Sequence, residues 1–224
     1  MKTNQILFLL VLIVTACKTD KKEEKVIPPT SQDIAEKIAA AHGYSNWKDV
    51  KEIGFTFNVD RDSTHFERSW VWQTKSNRVT YISGTDTLSY DRKNMDSIAY
   101  KTNAGFINDR YWLLAPFNLM WDKDNYKADY AADTEAPISK SNLQKLTIVY
   151  NSEGGYTPGD AYDFYFGDDY LLREWVFRKG NQPEPSMATT WENYLDTLGI
   201  KLGRDHKKGD EVFNLYLDGI IIKK

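Results

Sequence analysis

Large apolar residues alternate with polar ones in the segments that follow Val50, and this alternation limits the chain mainly to antiparallel β-structure. One segment carries its apolar residues at every second position: Ile53, Phe55, Phe57 and Val59. The next segment has three aromatic residues and one arginine at alternate positions: Phe66, Arg68, Trp70 and Trp72. Successive side chains of a strand point to opposite faces, so each set lies on one face of its strand. Residues 60–64 between them predict a hairpin turn.

The same pattern recurs to the C-terminus. Further predicted strands cover residues 78–83, 85–90, 146–150, 162–166, 171–177, 187–194 and 211–222. About ten strands with short connections and inward-facing rings are typical of a strongly curved antiparallel sheet, an open half-barrel with an apolar concave face. We therefore predict a mainly β fold with some α-structure, in which an N-terminal helix and a central apolar helical lid accompany the half-barrel.

Two helices are predicted. Thr30 and Asp33 have the spacing of a capping box, and Gly43 is a natural stop, which together predict an N-terminal helix. The apolar stretch within residues 95–120 lacks strand alternation and predicts a short helix that begins near Asn108 and ends at Pro116. This second helix either closes the core at one end of the sheet or acts as a mobile gate.

The N-terminus has the features of an export signal. Lys2 is followed by an apolar run over residues 6–14, and small residues precede Cys17, the only cysteine. This order resembles a bacterial lipoprotein signal peptide, and the resemblance implies cleavage before Cys17 and its modification with diacylglycerol and an acyl chain such as palmitate. A short membrane span is the alternative, but the run is well below the roughly 20 residues that a spanning helix needs.

The domain organisation follows from this signal. Residues 1–16 are the predicted signal peptide, and residues 17–30 form a flexible tether of mixed charge with two prolines. Residues 31–224 are the predicted folded domain. Lys18, the residue after Cys17, resembles the position that sends lipoproteins to the outer membrane, so we expect a lipid-anchored protein there, on the periplasmic face or the cell surface. The charged stretch after Cys17 is either a surface-export signal or a solvated linker.

Composition excludes some functions. The formal net charge of −3 offers no basic surface for nucleic acid. Once Cys17 is lipidated, no thiol remains for disulfides, catalysis or metal binding. Aromatic residues make up 14% of the chain, enough for rings to line a deep core or a cavity.

The order of elements resembles the lipoprotein-sorting fold of the LolA and LolB type. The segments that carry the resemblance are YWLLAPFNLM at 111–120, YDFYFGDDYLLREWVF at 162–177 and WENYLDTLGIKLGRD at 191–205. The resemblance implies a half-barrel that encloses an apolar cavity, a helical lid, and binding of acyl chains of lipids or lipoproteins, with an anchored member acting as the receiving partner. In the carrier of that family an arginine holds the lid, and Arg68 is the nearest candidate here.

We expect a group of apolar residues to line or cover the cavity: Phe55, Phe57, Trp70, Trp72, Trp112, Leu113, Leu114 and Phe117. Burying a 16-carbon chain at about 0.8 kcal/mol per methylene offers roughly 10 kcal/mol before ordering costs, so a dry pocket alone gives useful affinity. The predicted function is binding of an acyl chain, lipid or lipoprotein. The alternative at this stage is that the same rings interdigitate in a filled core.

No enzymatic motif is present, and we predict a protein that is not an enzyme and uses no cofactor or metal. His65 and Glu67 share a strand face, but a metal site needs three or four ligands. The acidic residues around Asp122 depart from a calcium loop and predict a solvated turn. A second hypothesis is an outer-membrane accessory lipoprotein that binds protein or glycan through exposed rings: Trp121, Trp175 and Trp191. A third hypothesis, a hydrolase without a familiar sequence signature, has no candidate catalytic residue.

Overall fold

The computed structural model describes residues 28–153, 157–209 and 212–224. The predicted signal peptide, Cys17 and the tether up to residue 27 lie outside these ranges. Within them, no helix combines the length and the apolar character that crossing a membrane requires.

The N-terminal helix α1 spans Ser31–Ala41 and begins as the sequence predicts. The Thr30 hydroxyl accepts a hydrogen bond from the Asp33 backbone N–H at 3.1 Å, and the Asp33 carboxylate accepts one from the Thr30 backbone N–H at 2.8 Å. This reciprocal capping box satisfies two amide groups that the first helical turn leaves without partners. The capping-box prediction is confirmed. After Gly43 a single helical turn, α2, covers Tyr44–Trp47.

Antiparallel strands form the rest of the fold. In the described ranges they are β1 (Glu52–Arg61), β2 (Thr64–Gln73), β3 (Arg78–Ser83), β4 (Asp86–Asp91), β5 (Tyr126–Glu135), β6 (Asn142–Tyr150), β7 (Ala161–Phe166), β8 (Leu172–Arg178), β9 (Met187–Thr190), β10 (Leu195–Thr197), β11 (Ile200–Leu202), β12 (Asp205–Lys207) and β13 (Phe213–Lys223). One sheet has the order β12-β13-β1-β2-β3-β4, a second has β5-β6-β7-β8-β9, and β10 and β11 form a small ribbon. The predicted β1–β2 hairpin is present, with Phe57 opposite Arg68.

The two large sheets contact each other at β9 and β12. There Glu192 and Asp205 form an isolated antiparallel bridge, and the Lys207 backbone N–H donates to the Thr190 hydroxyl at 3.1 Å. The sheets do not close into a barrel, and the architecture is that of a curved half-barrel, mainly β with three α-helices in the described part of the chain. The predicted fold class is therefore confirmed.

The central helix α3 spans Ser97–Trp121 and is longer than the sequence predicts. The prediction that a helix begins near Asn108 and ends at Pro116 is wrong at both ends. Proline lacks the N–H for an intrahelical hydrogen bond and its ring crowds the preceding turn. Here the chain kinks at Leu114, whose φ of −122° and ψ of 21° are not helical, and then resumes as helix. Buried apolar residues on both sides of the kink hold the two parts in place.

Strand β5 is absent from the sequence prediction, in which strands resume only at Leu146. Its sequence, YKADYAADTE, places alanine and aspartate where large apolar residues would mark a strand. It lies at the edge of its sheet, where pairing with β6 rather than apolar alternation stabilises it. The predicted acidic turn is present around Asp122, but Asp129 belongs to β5.

The hydrophobic core lies between the two sheets and around α3. Its largest fully buried side chains include residues from every layer: Trp70, Trp191, Phe106, Phe117, Phe164, Phe166, Ile34 and Leu113. Helix α1 packs against α3 and against β5 and β6. The central helix is therefore enclosed by both sheets and α1, and this arrangement positions the site described next.

Candidate functional site: two cavities beside the central helix

An apolar cavity of about 490 Å³ lies between α3 and both sheets. Its wall comes from α3, from β1 and β13 of one sheet, and from β7, β8 and β9 of the other. Most of the lining is aromatic or aliphatic: Phe57, Trp112, Tyr162, Trp175, Phe177 and Leu215 are representative. Its volume is in the range of pockets that hold small ligands.

Aromatic rings of the second sheet form one continuous wall of this cavity. The Tyr162 ring stacks on Trp175, with centroids 5.6 Å apart, and on Phe177, with centroids 5.3 Å apart. Trp112 of α3 meets Trp175 at a centroid distance of 4.5 Å. Because each ring is held by its neighbours, the wall is formed before any ligand arrives.

The residues predicted to line the cavity divide into three groups. Phe57 and Trp112 line the apolar cavity, and Trp72 lines a second cavity described below. Five are buried in the core and line neither cavity: Phe55, Trp70, Leu113, Leu114 and Phe117. For these five the geometry is that of core packing, the alternative that the sequence left open. Binding of a ligand by any of them stays a prediction.

Arg68 joins β2 to the central helix. Its Nε and Nη2 donate to the two carboxylate oxygens of Asp109, at 2.6 and 2.7 Å. Trp70 Nε1 and Asn108 Nδ2 donate to the same carboxylate, at 2.8 and 3.0 Å. Asp109 is fully buried, so four hydrogen bonds replace the water it loses. The guanidinium also lies over the Phe57 ring, 5.6 Å from its centroid, which brings this ion pair to the edge of the apolar cavity.

Sequence reasoning missed several residues of this site. Asp109 was the available signal for the ion pair, because a lone carboxylate in a predicted apolar helix must find a buried cationic partner. Tyr162 was placed correctly on an alternating strand but was not assigned to the cavity. The inward-facing end of β13, which contributes Phe213 and Leu215, lies far in the chain from the other lining residues, and no local pattern connects them.

A second cavity, of about 630 Å³, also lies against α3. Three tryptophans contribute to it: Trp47, Trp72 and Trp121. Unlike the first cavity it is rich in cationic side chains, among them Arg92 and Arg110. Ile107, Tyr111 and Thr157 line both cavities, so the two adjoin at this point of the helix.

The tyrosine side chains in these walls and the histidine behind them are neutral at pH 7. Burial raises the pKa of the Tyr111 hydroxyl well above its ordinary value, and burial likewise raises the pKa of Tyr162 and Tyr150. His206 lies behind Trp112, with ring centroids 5.1 Å apart, and burial lowers its pKa to about 3. At neutral pH the apolar cavity therefore carries no charge on these rings.

Metal chemistry finds no support in the described ranges, where no group of three or more His, Cys, Asp or Glu side chains could hold a metal ion. His65 is exposed, and its Nδ1 lies 2.7 Å from the Asp60 carboxylate and its Nε2 3.5 Å from that of Glu67. The hydrogen bond that the His65 ring donates to the Asp60 carboxylate raises the pKa of His65. This is a surface charge cluster.

The tryptophans considered as surface platforms are not exposed as that hypothesis requires. Trp175 and Trp191 are only 4% and 2% exposed, and Trp175 lines the apolar cavity. Trp121 is partly buried in the second cavity. The prediction of exposed platforms is therefore wrong for Trp175 and Trp191.

Comparison with known proteins identifies the fold. No protein-family model and no curated protein matches the chain. Among solved structures it is similar to a LolA superfamily protein from Nitrosomonas europaea, with a TM-score of 0.51, 11% identity, and coverage of 88% of this chain and 95% of the other. It is also similar to a DUF1329 family protein from Desulfovibrio piger, with a TM-score of 0.50, 10% identity and coverage of 86% and 92%. The chain has the LolA-like fold. The resemblance noted in the sequence is thereby confirmed at the level of the fold, and the LolA-like half-barrel spans nearly all of the described residues.

Proposed function

We propose that this protein binds an acyl chain, as part of a lipid or lipoprotein, in the apolar cavity beside α3. The observation that carries the proposal is the cavity itself, about 490 Å³ in volume with a wall of stacked aromatic rings. A hydrocarbon chain needs no polar partner, only a dry wall that is already formed. The LolA-like fold supports the proposal, and no catalytic group is required for it.

The strength of such binding can be estimated from the hydrophobic effect. Transfer of a 16-carbon chain from water at about 0.8 kcal/mol per methylene gives roughly 10 kcal/mol before the chain is ordered. Ordering the chain and the loss of free rotation and translation offset part of this. Because the rings of Tyr162, Trp175 and Phe177 already hold one another, the protein adds little ordering cost of its own.

In this proposal α3 is the cover of the cavity and Arg68 is the residue that positions it. The Arg68–Asp109 pair fixes the middle of the helix to β2, and the kink at Leu114 separates that segment from the end of the helix. Trp112, which lines the cavity, lies between these two points. The closed helix therefore presents Trp112 to the ligand in one orientation.

The N-terminal residues give the proposed location. We take residues 1–16 as the signal peptide, Cys17 as the lipidated residue, residues 17–30 as the tether and residues 31–224 as the ligand-binding domain. The domain would then be held by its own acyl chains at the outer membrane, on the periplasmic face or the cell surface. Since two or more acyl chains give stable anchoring, the protein receives its ligand at a fixed position.

Replacing Cys17 with serine tests the proposed anchor. Without the thiol no thioether with diacylglycerol can form, so we expect the C17S variant to lose incorporation of a labelled palmitate and to leave the membrane fraction. A matched Lys18→Ser variant keeps the thiol and should stay labelled and membrane-bound. A C17S protein that remains labelled and in the membrane fraction would contradict the assignment.

Filling the cavity tests the proposed binding. Ala104 lies on α3, is exposed at the edge of the apolar cavity and contributes to its lining. We expect Ala104→Trp to place an indole in the space of the ligand and to weaken binding of a fluorescent 16-carbon fatty acid at least tenfold. The free energy of unfolding should change by no more than about 0.5 kcal/mol, as for other surface substitutions.

The control for this experiment is Ala132→Trp. Ala132 is exposed on the edge strand β5 and lines neither cavity, so its variant should bind the fatty acid like the wild type. Equal loss of binding in both variants, or no saturable binding by the wild type, would contradict the proposal.

A further inference from the structure

The second cavity concentrates positive charge in an acidic protein. Five cationic side chains line it: Lys48, Lys75, Arg92, Lys93 and Arg110. Only two carboxylates, Asp122 and Glu153, share the lining, while the whole chain has a formal net charge of −3. A concave surface with an excess of one charge sign attracts ligands of the opposite sign.

Arg92 is held in this cavity by neutral groups. Its Nε donates to Asn103 Oδ1 and its Nη1 to Asn77 Oδ1, both at 3.0 Å. Within the described ranges no carboxylate lies within ion-pair distance of it. A partly buried guanidinium that is oriented by amides and not neutralised by a carboxylate is suited to an anionic ligand.

A second donor group lies on α3. The Arg110 guanidinium lies over the rings of Trp72 and Trp121, 5.5 and 5.1 Å from their centroids, and its Nη2 donates to Asn118 Oδ1 at 3.2 Å. Asn118 is 1% exposed and lines the cavity. Its Nδ2 is buried and has no hydrogen-bond partner among the residues that the structure describes. Buried donors are nearly always satisfied, so a ligand oxygen at this point would complete the site.

The basic cavity and the apolar cavity adjoin. Ile107 and Tyr111, one helical turn apart on α3, line both of them, as does Thr157 from the loop before β7. A ligand that passes Tyr111 would have its apolar part among the rings of the first cavity and its polar part among the cations of the second.

We propose that the basic cavity binds the phosphate headgroup of the same ligand whose acyl chain occupies the apolar cavity, so that the ligand is a phosphate-bearing acyl lipid. This inference rests on the proposed function. It adds the headgroup, which guanidinium groups recognise through paired hydrogen bonds and lysines through charge.

The inference is tested with two lipids that share one chain. Binding of 16-carbon lysophosphatidic acid, of a 16-carbon monoacylglycerol that lacks the phosphate, and of inorganic phosphate to the wild-type protein would be measured by isothermal titration calorimetry. We expect lysophosphatidic acid to bind about tenfold more tightly than the monoacylglycerol, and inorganic phosphate to bind far more weakly than either. The preference should fall as the salt concentration rises.

Variants that lack cationic side chains test whether the basic cavity causes the preference for lysophosphatidic acid. Lys48→Gln with Lys93→Gln removes two exposed cations of the basic cavity without touching the core, and we expect affinity for lysophosphatidic acid to fall about fivefold and its preference over the monoacylglycerol to fall to about twofold. The control, Lys101→Gln with Lys127→Gln, removes two exposed charges that line neither cavity and should keep the full preference.

The outcomes separate this inference from the function on which it rests. Equal binding of both lipids would overturn the headgroup site and leave acyl-chain binding intact. Binding of neither lipid would overturn both. Inorganic phosphate that binds as tightly as lysophosphatidic acid would assign the cavity to a free anion and contradict the lipid headgroup. Loss of the preference in the control variant would also contradict it.

Discussion

Replacing Asp109 with alanine is expected to lower the free energy of unfolding by about 3–5 kcal/mol, the usual cost of removing one partner of a buried ion pair. The carboxylate accepts four hydrogen bonds, two of them from Arg68, and none of its surface is exposed. Its removal leaves Trp70 Nε1 without an acceptor and the guanidinium, 23% exposed, without its counter-charge. Urea unfolding monitored by tryptophan fluorescence measures the change.

An exposed ion pair is the control. Glu135 and Lys140 lie 3.9 Å apart with both side chains about two-thirds exposed, so Glu135→Ala should cost less than about 1 kcal/mol. An Asp109→Ala variant within 1 kcal/mol of the wild type would show that the pair does not hold α3 against β2.

Acid is expected to destabilise the fold through two buried histidines. His42 and His206 are fully buried, and burial lowers the pKa of His42 to about 4 and that of His206 to about 3. The unfolded chain has ordinary histidine pKa values near 6.5, so below that pH the unfolded state binds more protons than the folded state. Stability is therefore complete above pH 6.5 and is lost as the pH falls toward 4. For two such groups the loss between pH 6.5 and pH 5 is about 3 kcal/mol.

Two single variants test whether the buried histidine rings cause this loss of stability at low pH. His206→Phe keeps an aromatic ring against Trp191 and should halve the slope of unfolding free energy against pH in that window. His65→Gln should leave the slope unchanged there, because the Asp60 carboxylate raises the pKa of His65 and its stabilising contribution is lost only as the pH rises above 6.5. A flat profile between pH 6.5 and pH 5 in the wild type would contradict the assignment.

The sheet could be predicted from the sequence because its signal is local. Alternation of Phe55 and Phe57 with polar residues, and of Trp70 and Trp72 in the next segment, needs only the period of a strand. The capping box at Thr30 is equally local. Strand β5 and the full length of α3 could not be found in this way. The edge strand depends on its neighbour for stability, and the kinked helix continues past Pro116 because packing on both sides of the kink outweighs the local cost of proline.

The site was less predictable than the fold. Whether an inward-facing ring fills the core or lines a cavity depends on the distance between sheets, which no local pattern contains. Phe57 lines the cavity and Phe55, two residues before it on the same strand, is packed in the core. The Arg68–Asp109 pair connects residues 41 positions apart, so it depends on how α3 packs against β2, which no local sequence pattern contains.

Native mass spectrometry of the protein, extracted from its membrane in mild detergent, tests the central claim most directly. We predict that the wild-type domain carries an additional mass equal to one acyl lipid and that the Ala104→Trp variant, prepared in the same way, does not. A wild-type spectrum that shows only the mass of the polypeptide with its Cys17 modification, and no change on addition of a 16-carbon fatty acid, would contradict the claim that the cavity beside α3 binds a lipid.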